Sequence, residues 1–226
     1  MATRFPMIVH DGHLIADLGR HNALLDTGSP GSIGDIGSIE ICDKRFELSA
    51  DFLGVTVQGL AEQVGYDFNL LIGMDLIGEF DVTFSRRDAA VTFEEVGEPS
   101  GEGMPLDSLL GVPVIDIGIG DEDYKAFFDT GAPISYLPKD IIERYPLVGT
   151  RTDFYPTKGT FEVSVRQVPV RIANDSFEMD IGEMDEGLAG MIGLTGIQGI
   201  IGSSILELAD VSLSMAAERI CVTKLI

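Results

Sequence analysis

The octapeptide Ala23-Leu24-Leu25-Asp26-Thr27-Gly28-Ser29-Pro30 returns 103 positions later as Ala126-Phe127-Phe128-Asp129-Thr130-Gly131-Ala132-Pro133. In each copy an apolar pair leads into an aspartate, the pattern of a buried strand that carries a charged group at its end, and the glycine that follows turns the chain tightly. A buried carboxylate is costly unless something pairs with it or uses it. One Asp-Thr-Gly is often an ordinary turn. Two copies that also share the leading Ala and the trailing Pro are not accounted for that way, and the two aspartates are expected to meet across an internal two-fold.

A longer repeat extends the pattern. Residues 71–93 align without a gap on residues 200–222, so that Asp81-Val82 lies eight places after Gly73 as Asp210-Val211 lies eight after Gly202. Ser85 matches Ser214 and Val91 matches Ile220. Each copy alternates apolar and polar residues (Val82, Phe84; Val211, Leu213), as half-buried strands do. Two β-rich lobes are expected in tandem, residues 1–95 and 104–226, joined by the polar, Gly-rich segment 96–103. Short helices are expected after Gly73 and over Lys139 to Arg144.

An Asp-Thr-Gly followed by an apolar-apolar-Gly element resembles the aspartic proteases of the retropepsin and pepsin kind. Leu71-Ile72-Gly73-Met74-Asp75-Leu76-Ile77 followed by Phe80 to Phe84 looks like the C-terminal strand, helix and strand of such a lobe. Ala132 is the retroviral-type choice after the glycine, Ser29 is closer to the pepsin type, and Pro138 also follows the pepsin pattern, although the first half has Asp35 at that offset. The resemblance covers nearly the whole chain. It implies an all-β, bilobal acid-protease fold: two pseudo-symmetric, barrel-like lobes with a central cleft and a few short helices.

It further implies an aspartic endopeptidase in which Asp26 and Asp129 act on a water molecule, with no metal and no cofactor. By resemblance, Thr27 and Thr130 lock the two loops together, while Gly28 and Gly131 allow close approach to an extended peptide. Ser29 is expected to hydrogen-bond Asp26, a bond Ala132 cannot make to Asp129. Both half-sites lie on one chain, so a monomer is expected to suffice for a peptide or protein substrate. The alternatives are a catalytically silent peptide-binding module of the same fold and a dimer in which lobes are exchanged.

The lobes differ between the Asp and the Gly element, which stand 47 positions apart in the first and 73 in the second. Phe154 to Phe161, leading into Val163, Val165, Val168 and Val170, reads as a long hairpin with a Pro/Gly-containing tip. In the resembled family that region closes over substrate as a flap, which makes Tyr155, Thr157, Lys158 and Gly159 the candidate flap residues. The first lobe's hairpin, Glu40 to Phe46, is too short for an equivalent role.

Composition sets the outer limits. A net charge of −22 opposes binding to phosphate backbones, so no nucleic-acid partner is expected. Leu188 to Leu206 carries no formal charge, but its five glycines at every third position from Gly190, with Thr195, Gln198, Ser203 and Ser204, argue against a membrane span. Cys42 and Cys221 sit in apolar, strand-like contexts that fit buried thiols. The first residues lack the apolar run of a secretory signal, and a cytoplasmic location is the expectation. His10-Asp11-Gly12-His13 offers too few ligands for a metal and reads as a solvated turn.

Overall fold

The computed structural model describes residues 2–97, 103–155 and 159–225. The apolar segments around the first Asp-Thr-Gly form β1 (Ala2–His10), β2 (His13–Asp17), β3 (Asn22–Leu25) and β4 (Ile33–Gly34). Two small hairpins follow, β5 (Ser38–Ile41) with β6 (Lys44–Glu47) and β7 (Asp51–Phe52) with β8 (Val55–Thr56). The first half closes with α1 (Val57–Val64), β9 (Leu70–Ile72), α2 (Met74–Ile77), β10 (Phe80–Ser85) and β11 (Ala90–Glu95).

The second half starts with β12 (Met104–Pro105), β13 (Asp107–Leu109), β14 (Val112–Ile119) and β15 (Glu122–Asp129). Then come β16 (Ser135–Pro138), α3 (Lys139–Ile142), β17 (Leu147–Tyr155), β18 (Gly159–Ile172) and β19 (Asp175–Met184). It ends with α4 (Glu186–Gly193), β20 (Gly199–Gly202), a 3₁₀ turn (Ser203–Glu207), β21 (Ala209–Ser214) and β22 (Arg219–Lys224).

One sheet runs β12-β22-β21-β10-β11-β1-β2-β3-β9-β4 and the other β13-β14-β15-β20-β16-β19-β18-β17. The first sheet belongs to both halves, because β10 and β21, which end the two copies of the longer repeat, pair antiparallel. β1 serves two partners: residues 2–6 pair with β11 and residues 7–10 with β2. Pro6, with no N–H for a ladder, stands at the changeover.

The alternation read from the sequence sets the inner face of the shared sheet. Val82, Phe84, Val211 and Leu213 are all buried there. Phe80 and Phe93 stack edge-to-face with centroids 5.6 Å apart and have no exposed surface, each contributing about 1.5–3 kcal/mol of apolar burial. A main core built on these residues extends into both halves. A second core lies under α1, whose Val57, Leu60 and Val64 fall on one face against Ile15, Leu24 and Leu71.

α1 was not foreseen in the sequence. Its start is set by Thr56, whose hydroxyl accepts from the Gly59 N–H at 3.3 Å. α3 covers only the first part of the helix expected up to Arg144. The uncharged stretch from Leu188 is divided among α4, β20 and the 3₁₀ turn, and among the described residues no helix is long and apolar enough to cross a membrane. Cys42 is buried as expected, but in the turn between β5 and β6 rather than in a strand.

Candidate active site

β3 and β15 deliver the two aspartates to the same place. Each is flanked in parallel by the strand of the second repeat, β3 by β9 with Leu25 opposite Ile72, and β15 by β20 with Asp129 opposite Gly202. This register packs the repeat glycines against the loops. A Cβ on Gly73 would lie 2.6 Å from the Gly31 carbonyl oxygen, and one on Gly202 would lie 2.5 Å from that of Ala132. The apolar-apolar-Gly element therefore recurs because any side chain at its third position would collide with backbone. Two serines that the sequence reading passed over complete the contact: Ser32 Oγ accepts from the Gly73 N–H at 2.9 Å, and Ser135 Oγ from the Gly202 N–H at 3.0 Å. Their identical offset from Asp26 and Asp129 is the signal that could have found them.

The two loops are cross-linked by their threonines, both fully buried. The Thr27 N–H donates to Thr130 Oγ1 at 3.0 Å and the Thr130 N–H donates to Thr27 Oγ1 at 2.9 Å. Each hydroxyl then donates to the opposite strand, Thr27 to the Phe128 carbonyl at 2.7 Å and Thr130 to the Leu25 carbonyl at 2.8 Å. Four hydrogen bonds across the junction fix the separation of the aspartates that immediately precede these threonines.

Within each loop the carboxylate is held by backbone. Asp26 Oδ1 accepts from the N–H of Gly28 (2.9 Å) and Ser29 (3.0 Å), and Asp129 Oδ1 from those of Gly131 (2.9 Å) and Ala132 (3.2 Å). The two carboxyl groups face each other across the junction, close enough for each to act on the other's ionisation. Each also lies over the other loop's glycine. A Cβ on Gly28 would stand 2.2 Å from the Asp129 carboxyl carbon, and one on Gly131 would stand 2.4 Å from that of Asp26.

Burial raises the pKa of both aspartates above the usual carboxylate range. The charge of Asp129 raises Asp26 further, while the backbone amides pull each of them part of the way down. Two acids this close share a proton and titrate as a pair. An acid and a base then stand side by side on identical side chains, an arrangement suited to activating one water molecule.

Two expectations are corrected here. The Ser29 hydroxyl does not reach Asp26. It donates to the Gly31 carbonyl at 2.8 Å, and only the Ser29 amide serves the carboxylate, as the Ala132 amide does in the other loop. A serine in this turn satisfies a nearby carbonyl before it satisfies an oxygen already held by two amides. Nor is His13 in a solvated turn. Asp11 and Gly12 form the turn, with φ of 46° and 85°, but His13 opens the apolar strand β2 and is 7% exposed. The apolar run Leu14-Ile15-Ala16 behind it was the signal.

β17 and β18 form the long hairpin, pairing from Leu147 opposite Arg166 up to Tyr155 opposite Gly159. Thr157 and Lys158 lie outside the described residues. Phe154 packs on the α1 core, so the hairpin of the second half reaches the first. Among the described residues no group of three His, Cys, Asp or Glu side chains could hold a metal ion.

No family model and no curated protein matches this chain. Among solved structures it is similar to an aspartic proteinase from Irpex lacteus, with 13% identity and a TM-score of 0.56 over 99% of this chain and 97% of that one. The protease of Simian Foamy Virus (mac) aligns with 41% of this chain and 90% of its own, with 15% identity and a TM-score of 0.31. The full-length likeness shows that the chain has the bilobal, mainly β fold of a pepsin-like aspartic proteinase.

Proposed function

We propose that this protein is an aspartic endopeptidase that hydrolyses peptide bonds with a water molecule held between Asp26 and Asp129. The observation that carries the reading is the juxtaposition of two buried, electrostatically coupled carboxyl groups supplied by equivalent loops of one chain and held by the reciprocal threonine bonds. A pair of buried acids in contact has no structural advantage over an apolar pair, whereas it matches what peptide hydrolysis requires. Both carboxyl groups are raised by burial and each is held by two backbone amides, so the pair keeps one proton between them.

In the forward step the ionised member of the Asp26/Asp129 pair removes a proton from the water, the water oxygen adds to the scissile carbonyl carbon, and the protonated member gives its proton to the carbonyl oxygen. Collapse of the tetrahedral product returns a proton to the leaving amine as the C–N bond breaks. Gly28 and Gly131 leave room for the peptide beside the dyad, and the β17–β18 hairpin, with Tyr155 and Gly159 at its described end, is the candidate flap. The reading takes the protein to act as a monomer on peptide or protein substrates. A cytoplasmic, reducing location belongs to the same proposal and fits Cys42 and Cys221 as free thiols.

The test is peptide cleavage across about pH 4 to 7 by wild type, Asp26→Asn and Asp129→Asn, with each substitution expected to lower kcat by about 10²–10⁴-fold. Wild-type binding of peptides without cleavage would identify a silent binding module. Recovery of activity on mixing the two variants would identify a lobe-exchanged dimer.

A further inference from the structure

The 3₁₀ turn of the second half begins at Ser203, one residue after the repeat glycine Gly202. The Ser203 N–H donates to the Ala132 carbonyl at 2.9 Å, and the Ala132 N–H donates in turn to Asp129 Oδ1 at 3.2 Å. The Ser203 hydroxyl reaches the other way and donates to the Gly12 carbonyl, in the β1–β2 turn of the first half. A line of three hydrogen bonds therefore runs from the first half, through Ser203 and Ala132, to the carboxyl group of Asp129.

The turn that receives this hydroxyl also packs directly on the same loop. A Cβ on Gly12 would lie 2.5 Å from the Cβ of Pro133, so only a bare backbone fits there. Ser203 itself is buried, and its amide and hydroxyl are both spent on the two carbonyls, one from each half. One polar contact and one packing contact thus hold the second Asp-Thr-Gly loop from outside its own half.

The first loop is held differently. Met74 stands where Ser203 does in the longer repeat, one place after Gly73. Its N–H donates to the Ser29 carbonyl at 2.8 Å and the Ser29 N–H to Asp26 Oδ1 at 3.0 Å, so the inner part of the line is the same in both halves. The Met74 side chain, however, has no proton to donate and is buried in the main core, so this line stops inside its own half. The first loop is braced there by Ser32, whose hydroxyl donates to the Asp75 carboxylate at 2.5 Å, a charge-assisted bond. The matching pair in the second half, Ser135 and Ser204 at 3.1 Å, carries no charge.

We propose that Ser203 is a positioning residue for the dyad: by tying the Ala132 peptide to the β1–β2 turn of the first half, it orients the Asp129 carboxyl group towards Asp26. It acts through Ala132 and touches no reacting atom. The threonine exchange fixes how far apart the loops stand, but the tilt of each carboxyl group is set by the amides two and three residues further on. Ser203 makes the tilt of Asp129 depend on the half that carries Asp26, so the two acids stay aligned with each other. A reacting group displaced by about 1 Å costs about 10²-fold in rate. The catalytic consequence rests on the peptidase reading; the link between Ser203 and the Asp129 carboxyl group does not.

The test compares Ser203→Ala with Ser212→Ala, which removes a buried-sheet hydroxyl, bonded to Thr83 at 2.8 Å, outside both loops. In peptide cleavage Ser203→Ala is expected to lower kcat by about 10-fold or more with KM changed by less than about 2-fold. The acid limb of its kcat/KM profile should move up by about 0.5 to 1 pH unit, because a slackened Ala132 N–H stabilises the charged form of Asp129 less. Ser212→Ala should lose stability with its profile unmoved. Gly12→Ala, which keeps Ser203 but drives the turn off Pro133, should reproduce the loss. The titratable groups that face this loop, Asp26 across the junction and His13 with Asp11 and Asp153 behind it, are the same in all three variants. Cleavage by Ser203→Ala with an unmoved profile overturns the link and leaves the peptidase standing. A second measurement does not depend on turnover: in protein with ¹³C-labelled aspartate, the Asp129 carboxyl resonance, assigned with Asp129→Asn, should titrate at higher pH in Ser203→Ala than in wild type. If no peptide is cleaved but this shift appears, the hydrolysis reading fails and the link stands. An Asp129 titration that ignores Ser203→Ala rules the link out whatever the cleavage result.

Discussion

Thr83 and Ser212 occupy equivalent places in the longer repeat, face each other in the β10–β21 pairing, and join their hydroxyls at 2.8 Å. The register is symmetric about them, with Asp81 opposite Ser214 and Val82 opposite Leu213, so the approximate two-fold axis of the molecule passes between these two side chains. The axis that relates the aspartates is thus anchored far along the chain from them, in the sheet that both halves share.

The hydroxyl pair yields a stability prediction. Removing one member, in Thr83→Val or Ser212→Ala, strands the other in a partly buried site and should cost about 1–3 kcal/mol, whereas removing both should be closer to neutral. A double-mutant cycle from urea denaturation measures the difference, and simple additivity would mean that the two hydroxyls are independently solvated.

The threonine exchange is more demanding. Thr27→Val removes the acceptor for the Thr130 N–H and the donor to the Phe128 carbonyl, both buried, so each stranded group should cost about 1–3 kcal/mol. Melting temperature should drop by about 2–4 °C per kcal/mol and cleavage should fall with it. Thr27→Ser, which keeps the hydroxyl, should recover most of both.

Gly28→Ala and Gly131→Ala separate activity from folding. In each case the added methyl meets the opposite aspartate's carboxyl group, the movable end of a side chain, rather than backbone. Thermal melts should change little while kcat falls by about 10²-fold, the cost of displacing a reacting group. A variant that loses activity only in step with stability would contradict this placement.

The raised pKa values make the dyad a stability liability at neutral pH. The native pair keeps a proton that the unfolded chain releases in the ordinary aspartate range, so its contribution is fully present below that range and is lost as pH rises through the raised folded value. Asp26→Asn removes the penalty. Its melting temperature should exceed that of wild type at pH about 7, by about 2–4 °C per kcal/mol, and the gain should shrink towards pH about 3. A gain that grew on acidification would reverse the sign of the argument.

The site was legible wherever the chain repeats itself. The apolar pairs before Asp26 and Asp129, and the glycines at 73 and 202, report local requirements of a buried strand end and a backbone contact, and such requirements leave the same residues in both copies. What depended on packing between segments was not legible. The Ser29 hydroxyl had two acceptors within reach, and only the folded turn selects Gly31. His13 follows a turn and looked solvated until the second half covered it, with Asp153 arriving from a strand 140 positions away. α1, only eight residues long, announces itself through a threonine cap and three apolar positions, too little to distinguish it from a loop.

The interlocked loops have one more consequence. In a symmetric pair of identical subunits every substitution appears twice, so a change that helps one side of a catalytic centre is imposed on the other. Here the two sides are spelled out separately in a single polypeptide. Ser29 can differ from Ala132, and one side can carry a long hairpin while its counterpart keeps a short one, without either change being mirrored. The threonine clasp fixes the one element both sides must hold in common and leaves the rest free to diverge.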